Sequence, residues 1–190
     1  MDTKLTGKTR IESDLIGARE IPAEALYGVQ TLRGIENFSI SKFRLSEYPL
    51  FIKGLAITKM AAAMANFELG LLTVEQKDAI IAACGEILDG KHHDQFPVDM
   101  IQGGAGTTTN MNANEVIANR ALELMGHERG EYQYCSPNDH VNCSQSTNDA
   151  YPTAIHIGMY FKHLQLLPHL EELIASFRKK GEAVSYTHLR

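Results

Sequence analysis

Cysteine is scarce in this 190-residue sequence, which contains only Cys84, Cys135 and Cys143. The three are odd in number, and none stands in the CxxC spacing of a zinc or redox site. A disulfide framework and a structural zinc site are therefore not expected. We predict free thiols and a location in the reducing cytoplasm.

The sequence also lacks an excess of positive charge and a long apolar segment. Its formal net charge is −5, which gives no support for a nucleic-acid or anionic-membrane partner. We expect no apolar run long enough to span a bilayer. Residues 1–4 lead into polar sequence without the apolar region of a signal peptide, so none is predicted.

Apolar periodicity predicts a mainly α fold. Residues 50–69 place apolar side chains at three- and four-residue steps, which is typical of a helix packed on one face. Thr73–Gln76 has the residues of a capping box and predicts the start of a second helix. Residues 112–125 predict a third helix. A fourth, long helix is predicted beyond Pro152, with Pro168 expected to kink or break it.

Other segments show little regular pattern. Residues 1–47 are punctuated by glycines and are interpreted as an extended, irregular lead-in. Lys91–Asp94 contains two adjacent histidines that would point in different directions, so it is interpreted as an exposed turn and no metal site is assigned. Three arginines could contact an anion, but solvation or pairing with Glu12, Asp14 and Glu20 is the better interpretation for each of them, Arg10, Arg19 and Arg33.

Two segments rich in hydroxyl and amide side chains carry the strongest functional signal. The first polar segment is Gly103–Glu115 and the second is Pro137–Asp149. Each leads into a helical pattern, and a helix start offers unpaired N–H groups and a positive dipole end. Taken singly, each segment is typical of ordinary turns and helix caps. Together they favour a binding site for a small substrate with an anionic group.

Two familiar phosphate-binding motifs are excluded by the glycines of the first polar segment. No Lys-Ser/Thr pair follows them, as a P-loop requires. Their spacing also differs from that of a dinucleotide-binding fingerprint. Neither a nucleotide nor any other cofactor is therefore assigned.

Several longer stretches resemble the aspartase/fumarase superfamily, and the resemblance runs from about Arg10 to about Lys180. They occur in the order that the superfamily shows, which makes the match specific. The matching stretches are Arg10–Asp14 with Tyr27–Arg33, Gly104–Thr107 with Asn110–Glu115, and Gln145–Asp149 with Tyr151–Thr153.

This resemblance implies a division of the chain. Residues 1–141 would form the N-terminal lyase domain, and residues 142–182 would begin a central bundle of long helices that is truncated here. Such bundles pair across subunits, so a homo-oligomer, and in a full-length enzyme a tetramer, is expected. Residues 183–190 depart from the superfamily pattern and are interpreted as a non-native tail.

The resemblance also implies an activity. Ser146-Thr147-Asn148 and Tyr134–Asp139 are most like the aspartate ammonia-lyases, which eliminate ammonia reversibly from L-aspartate to give fumarate. Fumarate hydratase of the same superfamily and a non-catalytic structural or binding role remain alternatives. The implied partner is a small molecule, L-aspartate or fumarate, without cofactor or metal.

Residue roles can be carried over at four positions. Thr107, Ser146 and Thr147 match the positions that would bind the β-carboxylate of the substrate, and Asn148 matches the position that would bind its amino group. The superfamily's catalytic base is a serine on a flexible glycine-serine loop, and no such stretch occurs in this sequence. No catalytic residue is therefore assigned, and the 190 residues alone are expected to be inactive.

Overall fold

The computed structural model describes residues 7–184, and within them the prediction of a mainly α fold is confirmed. An N-terminal β-hairpin is followed by five α-helices, two short 3₁₀ turns and one π-helical turn. The strands are β1 (Thr9–Asp14) and β2 (Gly17–Pro22), and the α-helices are α1 (Val29–Asn37), α2 (Pro49–Glu68), α3 (Val74–Leu88), α4 (Thr107–Leu124) and α5 (Thr147–Val184). The 3₁₀ turns are Leu45–Glu47 and His93–Gln95, and the π-helical turn is Pro137–Val141.

Helix α2 lies at the centre of the fold. It packs against α3 and along the first part of α5, while α4 packs against α3 and α1. One large apolar core fills the space between α2, α3, α4 and the start of α5, and a smaller cluster is formed by Ile21, Ala25 and Val29. The fully buried side chains of the large core include Leu45, Ile52, Leu55, Ile80, Ile87, Phe96, Ile117 and Leu122.

Close approach between α2 and α5 depends on two glycines. A Cβ added at Gly54 would overlap the main-chain carbonyl of Ala154, and one at Gly158 would lie 3.1 Å from the backbone of Leu50 and Phe51. The buried residues of α5 are Ala150, Ala154 and Gly158, which repeat every four positions. Small residues therefore let the two helix backbones touch and fix where α5 begins.

The capping box at the start of α3 is confirmed. The Thr73 hydroxyl accepts the Gln76 backbone N–H at 3.1 Å, and the Gln76 side-chain oxygen accepts the Thr73 backbone N–H at 3.1 Å. Gly70, with φ +73°, ends α2 and leads into this cap. Local sequence alone is therefore sufficient to specify this helix–turn–helix connection.

By length and composition α2 could cross a membrane, contrary to the expectation that no run is long enough. Its packing gives another reason for the apolar composition, because one face is covered by α3 and another by α5. It also carries the fully buried side chain of Lys59 near its middle. We interpret α2 as the core helix of this fold.

The lead-in is more regular than predicted. β1 and β2 pair antiparallel, from Thr9 opposite Pro22 to Asp14 opposite Gly17, and α1 was not predicted at all. Gly34 lies inside α1, where a Cβ would overlap the Thr108 side chain of α4. The glycine that indicated a loop is therefore required by helix packing.

The start of α1 is capped from a distant part of the chain. Its cap residue, Gly28, has no side chain, and the Glu115 carboxylate of α4 takes the role instead. Glu115 accepts the backbone N–H groups of Gly28 at 2.8 Å, Gln30 at 2.8 Å and Thr31 at 3.0 Å. Burial raises the pKa of Glu115, while these hydrogen bonds act in the opposite direction.

Two of the three lead-in arginines form the expected ion pairs. Arg10 lies 2.7 Å from Glu12, and Arg33 lies 2.8 Å from Asp14. The Arg33 hydrogen bond lowers the pKa of Asp14 to about 2. Arg19 is more exposed and lies 3.7 Å from Glu36 in α1. These arginines hold the hairpin to itself and to α1.

The two histidine rings of the turn contact neighbouring groups of the protein. His92 has a left-handed backbone, and its ring contacts Glu86 at 2.8 Å, while the His93 ring contacts the Ile87 carbonyl at 2.9 Å. Across residues 7–184, no three His, Cys, Asp or Glu side chains are grouped so that they could hold a metal ion. Both rings are half-buried, so the turn is less exposed than predicted.

Helix limits differ from the predictions in both α4 and α5, and α5 begins at Thr147, so that Pro152 lies inside it and not in its first turn. α4 begins at Thr107, five positions before the predicted start at Asn112. α5 runs unbroken through Pro168 to Val184, so of the two expected effects of Pro168, a kink or a break, the break was wrong. Residues 183 and 184 of the predicted tail continue α5, and the rest of that tail lies outside the described residues. The division at residue 141 stays a prediction.

Replacing Glu115 with glutamine is expected to destabilise the protein. A glutamine keeps one acceptor but turns an N–H₂ group toward backbone donors of α1, and each buried donor left unpaired costs about 1–3 kcal/mol. We expect a loss on the order of 3 kcal/mol, which would lower the melting temperature by roughly 6–12 °C. Circular dichroism melts of the purified chain measure it.

Glu68→Gln is the matched control, because Glu68 is exposed at the end of α2. Its effect should stay within about 0.5 kcal/mol. Equal melting temperatures for the Glu115 and Glu68 variants would show that the distant cap does not stabilise α1.

Candidate functional site

The start of the first polar segment is shaped by left-handed glycines. Gly104 and Gly106 have φ values of +72° and +86°, a region that favours glycine. A Cβ at Gly106 would also overlap the ring of Tyr151 in α5. The turn that starts α4 therefore rests directly on α5, and only glycine fits at the contact.

Side chains from the preceding loop hold this turn in place. The Gln102 amide oxygen accepts the Thr109 backbone N–H at 2.8 Å, and its nitrogen donates to the Thr109 hydroxyl at 2.6 Å. Asp99 accepts the Ser41 hydroxyl at 2.6 Å and the backbone N–H groups of Ile40 and Ile101. These donors, the Ser41 hydroxyl first, hold the pKa of Asp99 well below its usual range.

The second polar segment begins as a π-helical turn, a geometry that is rare and often found at functional sites. The Ser136 hydroxyl accepts the Asp139 backbone N–H at 3.1 Å, and the His140 ring accepts the Ser136 backbone N–H at 2.7 Å. Further on, the Ser146 hydroxyl accepts the Asn148 backbone N–H at 3.1 Å, at the start of α5. Local caps therefore define both ends of this segment.

The two polar segments meet where α4 and α5 begin. The Asn110 amide nitrogen donates to the Thr147 hydroxyl oxygen at 3.2 Å, across the junction. An open pocket of about 470 Å³, which we call the shared pocket, lies between the turn that starts α4 and Asn148 of α5, and neither Asn110 nor Thr147 is among its lining residues. It is lined by Met100, Ile101, Gln102, Gly104, Ala105, Gly106, Asn148, Tyr151 and Pro152.

The structure places the four predicted site residues around this junction. Asn148 lines the shared pocket and is exposed, as is Ser146 two positions earlier. Thr147 is half-buried, and Thr107 is the exposed first residue of α4, directly after Gly106. Within the described chain, no hydrogen bond joins the Thr107 side chain to the second polar segment, and the direct bonds between the two segments come from Asn110.

Lys59 is a central residue of this region that sequence reasoning missed. Its side chain is fully buried, and its ammonium donates to the amide oxygens of Asn110 at 2.7 Å, Asn142 at 2.9 Å and Gln145 at 3.0 Å. Burial lowers the pKa of Lys59 to about 7, whereas the three acceptor oxygens favour the charged form. One buried cation therefore connects α2, α4 and the second polar segment.

A sequence signal for Lys59 does exist. The buried residues Leu55, Ala56, Ala63 and Asn66 share its face of α2, so a lysine stands where periodicity requires a core residue. Asn66, two turns further along, donates to the Cys143 carbonyl at 2.8 Å. Lys59 and Asn66, two polar residues on the buried face of α2, therefore indicate where α2 contacts the second polar segment.

The chemistry available in this region is binding of an anion. Hydroxyl and amide donors surround two helix starts, which suits a carboxylate. None of the side chains that line the shared pocket is Asp, Glu, His or Lys, and burial raises the pKa of Tyr151, so that its phenol stays protonated. The shared pocket therefore offers donors for a carboxylate and no evident general base.

Comparison with known proteins gives a consistent result. A family model described as lyase matches residues 17–190. The chain is 57% identical over 177 residues to an aspartate ammonia-lyase of Pseudomonas canavaninivorans, covering 93% of this chain and 37% of that protein. The chain thus spans little more than a third of the length of this curated relative.

Solved structures share the fold. A Brucella melitensis protein described as fumarate lyase:delta crystallin superposes with a TM-score of 0.90 at 52% identity, covering 93% of this chain and 38% of that one. A class II fumarase from Schistosoma mansoni superposes with a TM-score of 0.86 at 37% identity, again over 93% of this chain and 37% of that one.

Three findings agree: the order of the matching stretches, the geometry at the starts of α4 and α5, and the match over residues 17–190. The chain belongs to the lyase family that this model describes, the aspartase/fumarase superfamily.

Proposed function

We propose that this chain forms the substrate-carboxylate side of the active site of an aspartate ammonia-lyase, which eliminates ammonia reversibly from L-aspartate to give fumarate. The observation that carries the proposal is the convergence of two donor-rich helix starts on one open pocket. The 57% identity to an aspartate ammonia-lyase supports this choice of reaction.

The proposed reaction needs donors more than it needs acid groups at this position. The C–H bond beside the β-carboxylate of aspartate is weakly acidic, and removal of its proton places a second negative charge on that carboxylate. Fixed hydrogen-bond donors that face the carboxylate stabilise this charge as it develops. Thr107, Ser146 and Thr147 are assigned to this role.

Asn148 is assigned to the amino group of the substrate. Its side chain is exposed at the rim of the shared pocket and forms no hydrogen bond with the described residues. The amide oxygen can accept a hydrogen bond from the substrate ammonium group, which orients the leaving group. Abstraction of the proton requires a base beyond these four residues.

Fumarate hydratase is the second candidate, because a class II fumarase shares the fold with a TM-score of 0.86. Donors that bind the β-carboxylate of aspartate would also suit malate and fumarate, so the geometry alone favours neither. The identity of 57% to an ammonia-lyase, against 37% to this fumarase, favours ammonia as the leaving group.

A homo-oligomer, specifically a tetramer, is part of the proposal. α5 is 38 residues long, or about 57 Å, and none of its described residues after Gly158 is buried. Leu166, Leu170, Leu173 and Phe177 form an exposed apolar stripe along one face. Such a stripe supports packing against other long helices of the same kind.

A cytoplasmic location completes the proposal. Cys84 and Cys135 are buried, Cys143 is half-buried, and all three are free thiols. Free thiols are typical of proteins kept in a reducing compartment.

A chimera tests the activity. Residues 1–180 of this chain, joined to the remaining length of the Pseudomonas canavaninivorans relative, are expected to convert L-aspartate to fumarate, followed by ultraviolet absorbance. The 190-residue chain alone should show no turnover, because the shared pocket offers no base. Turnover of L-malate or argininosuccinate in place of L-aspartate would assign a different reaction, and a folded but inactive chimera would favour a non-catalytic role.

In the same chimera, Thr147→Ala is expected to lower kcat/KM for L-aspartate by about 10²–10³, the usual cost of one preorganised donor. Stability should fall by only about 1 kcal/mol. Thr73→Ala is the control, because it removes a helix cap at a residue that does not line the shared pocket and should leave kcat/KM unchanged. A wild-type rate with a lowered melting temperature would make Thr147 a structural residue only.

Exposure of the apolar stripe predicts self-association of the 190-residue chain. Light scattering after size exclusion should show oligomers. Leu170→Glu should raise the protein concentration needed for oligomers to form at least tenfold, because it places a charge in the contact. Ala175→Glu adds the same charge on the opposite face of α5 and should have little effect. A monomer at all concentrations would remove the support for assembly through α5.

A further inference from the structure

The buried ammonium of Lys59 determines how three amide side chains must be oriented. An ammonium group has three donors and no acceptor, so every partner must present an oxygen. Its partners are the side-chain oxygens of Asn110, Asn142 and Gln145, at 2.7, 2.9 and 3.0 Å. All three N–H bonds are thereby used, and a flip of any one amide would bring a nitrogen against the cation.

The orientation of Asn110 has a consequence on its other side. With its oxygen on Lys59, its nitrogen faces Asn142 at 3.1 Å and Thr147 at 3.2 Å. The Thr147 hydroxyl oxygen therefore accepts a hydrogen bond from Asn110. A hydroxyl that accepts from one neighbour keeps its own proton free to donate to another.

We propose that Asn110 is a positioning residue that keeps the Thr147 hydroxyl a donor toward the substrate carboxylate, and that the buried Lys59 fixes Asn110 in the required orientation. This inference rests on the proposed function, in which Thr147 binds that carboxylate. Donation runs in one direction, from Lys59 to Asn110, from Asn110 to Thr147, and from Thr147 to the substrate.

The reverse orientation would remove the donor. If the Asn110 oxygen faced Thr147, the hydroxyl would donate to this oxygen at 3.2 Å and turn its proton away from the substrate. Hydrogen bonds in such a chain also polarise one another, so a cation at its start strengthens the last donor. The arrangement therefore supports carboxylate binding without any contact between Lys59 and the substrate.

Asn110→Asp in the chimera tests the proposal. Aspartate has nearly the shape of asparagine and can pair with the Lys59 ammonium, but it only accepts hydrogen bonds. The Thr147 hydroxyl would then donate to Asp in place of the substrate. We expect kcat/KM for L-aspartate to fall by about 10² or more, while the melting temperature stays equal or rises.

Asn142→Asp is the matched control for the added negative charge. Asn142 contacts the same ammonium at 2.9 Å but has no hydrogen bond to Thr147. Its variant should lower kcat/KM less than tenfold. Equal losses for the two variants would assign the effect to charge repulsion and overturn the proposal.

A double-mutant cycle isolates the hydroxyl. In a Thr147→Val background no hydroxyl remains to be oriented, so Asn110→Asp should cost less than tenfold further. An undiminished loss of about 10² in that background would also overturn the proposal.

Binding of succinate, measured by calorimetry, separates this inference from the reaction. Succinate carries the carboxylate but no leaving group, so Asn110→Asp should weaken its binding more than Asn142→Asp does. The chimera could bind succinate with this difference between the variants and still not turn over L-aspartate. That outcome would reject the ammonia-lyase activity and keep the positioning role. Equal binding by both variants would reject the positioning role alone.

Discussion

The buried charge of Lys59 is the constraint on which the site depends. Removing an ammonium from water is costly unless hydrogen bonds replace its hydration. Its three acceptors come from α4 and the second polar segment, at separations of 51, 83 and 86 residues in the chain. If any of these parts moved, a buried N–H would lose its partner, so the cation favours one arrangement of α2, α4 and the start of α5.

Glu115 has the corresponding role at the other side of α4. Lys59 gathers oxygens, and Glu115 gathers the backbone N–H groups at the start of α1. On α4, Asn112 lies between Asn110, the partner of Lys59, and Glu115. Asn112 is fully buried and donates to the Gln95 carbonyl at 2.9 Å. These polar side chains therefore connect α4 to loops and helix ends, which accounts for the poor helix formers at their positions, whereas Asn114 bonds only within α4, to the Met111 sulfur at 3.6 Å.

The difference between local and long-range contacts explains which elements could be predicted from the sequence. The capping box at Thr73 and the apolar spacing of residues 50–69 are local, so α2 and α3 were predicted correctly. The cap of α1 lies up to 87 residues away and leaves no local signal, so α1 was missed. A proline inside a helix leaves one backbone carbonyl without its helical hydrogen bond. Around Pro168 the helix is exposed, so water can supply a partner for that carbonyl and the helix continues. The assignment of residues 146–148 to substrate binding comes from the resemblance and stays a prediction, whereas Lys59, which contacts both polar segments, was not singled out from the sequence.

The geometry of α5 separates the proposed binding residues at its start from the exposed apolar stripe beyond Gly158. Its first three turns are fixed on α2 by Ala150, Ala154 and Gly158, where small residues allow backbone contact and little adjustment. Thr147 therefore has a position set by α2 and by Asn110, independent of what covers the apolar stripe beyond Gly158. In the proposed oligomer, changes in that stripe would alter association while Thr147 keeps its place. A partner helix would then affect the reaction only by bringing further residues to the open side of the shared pocket.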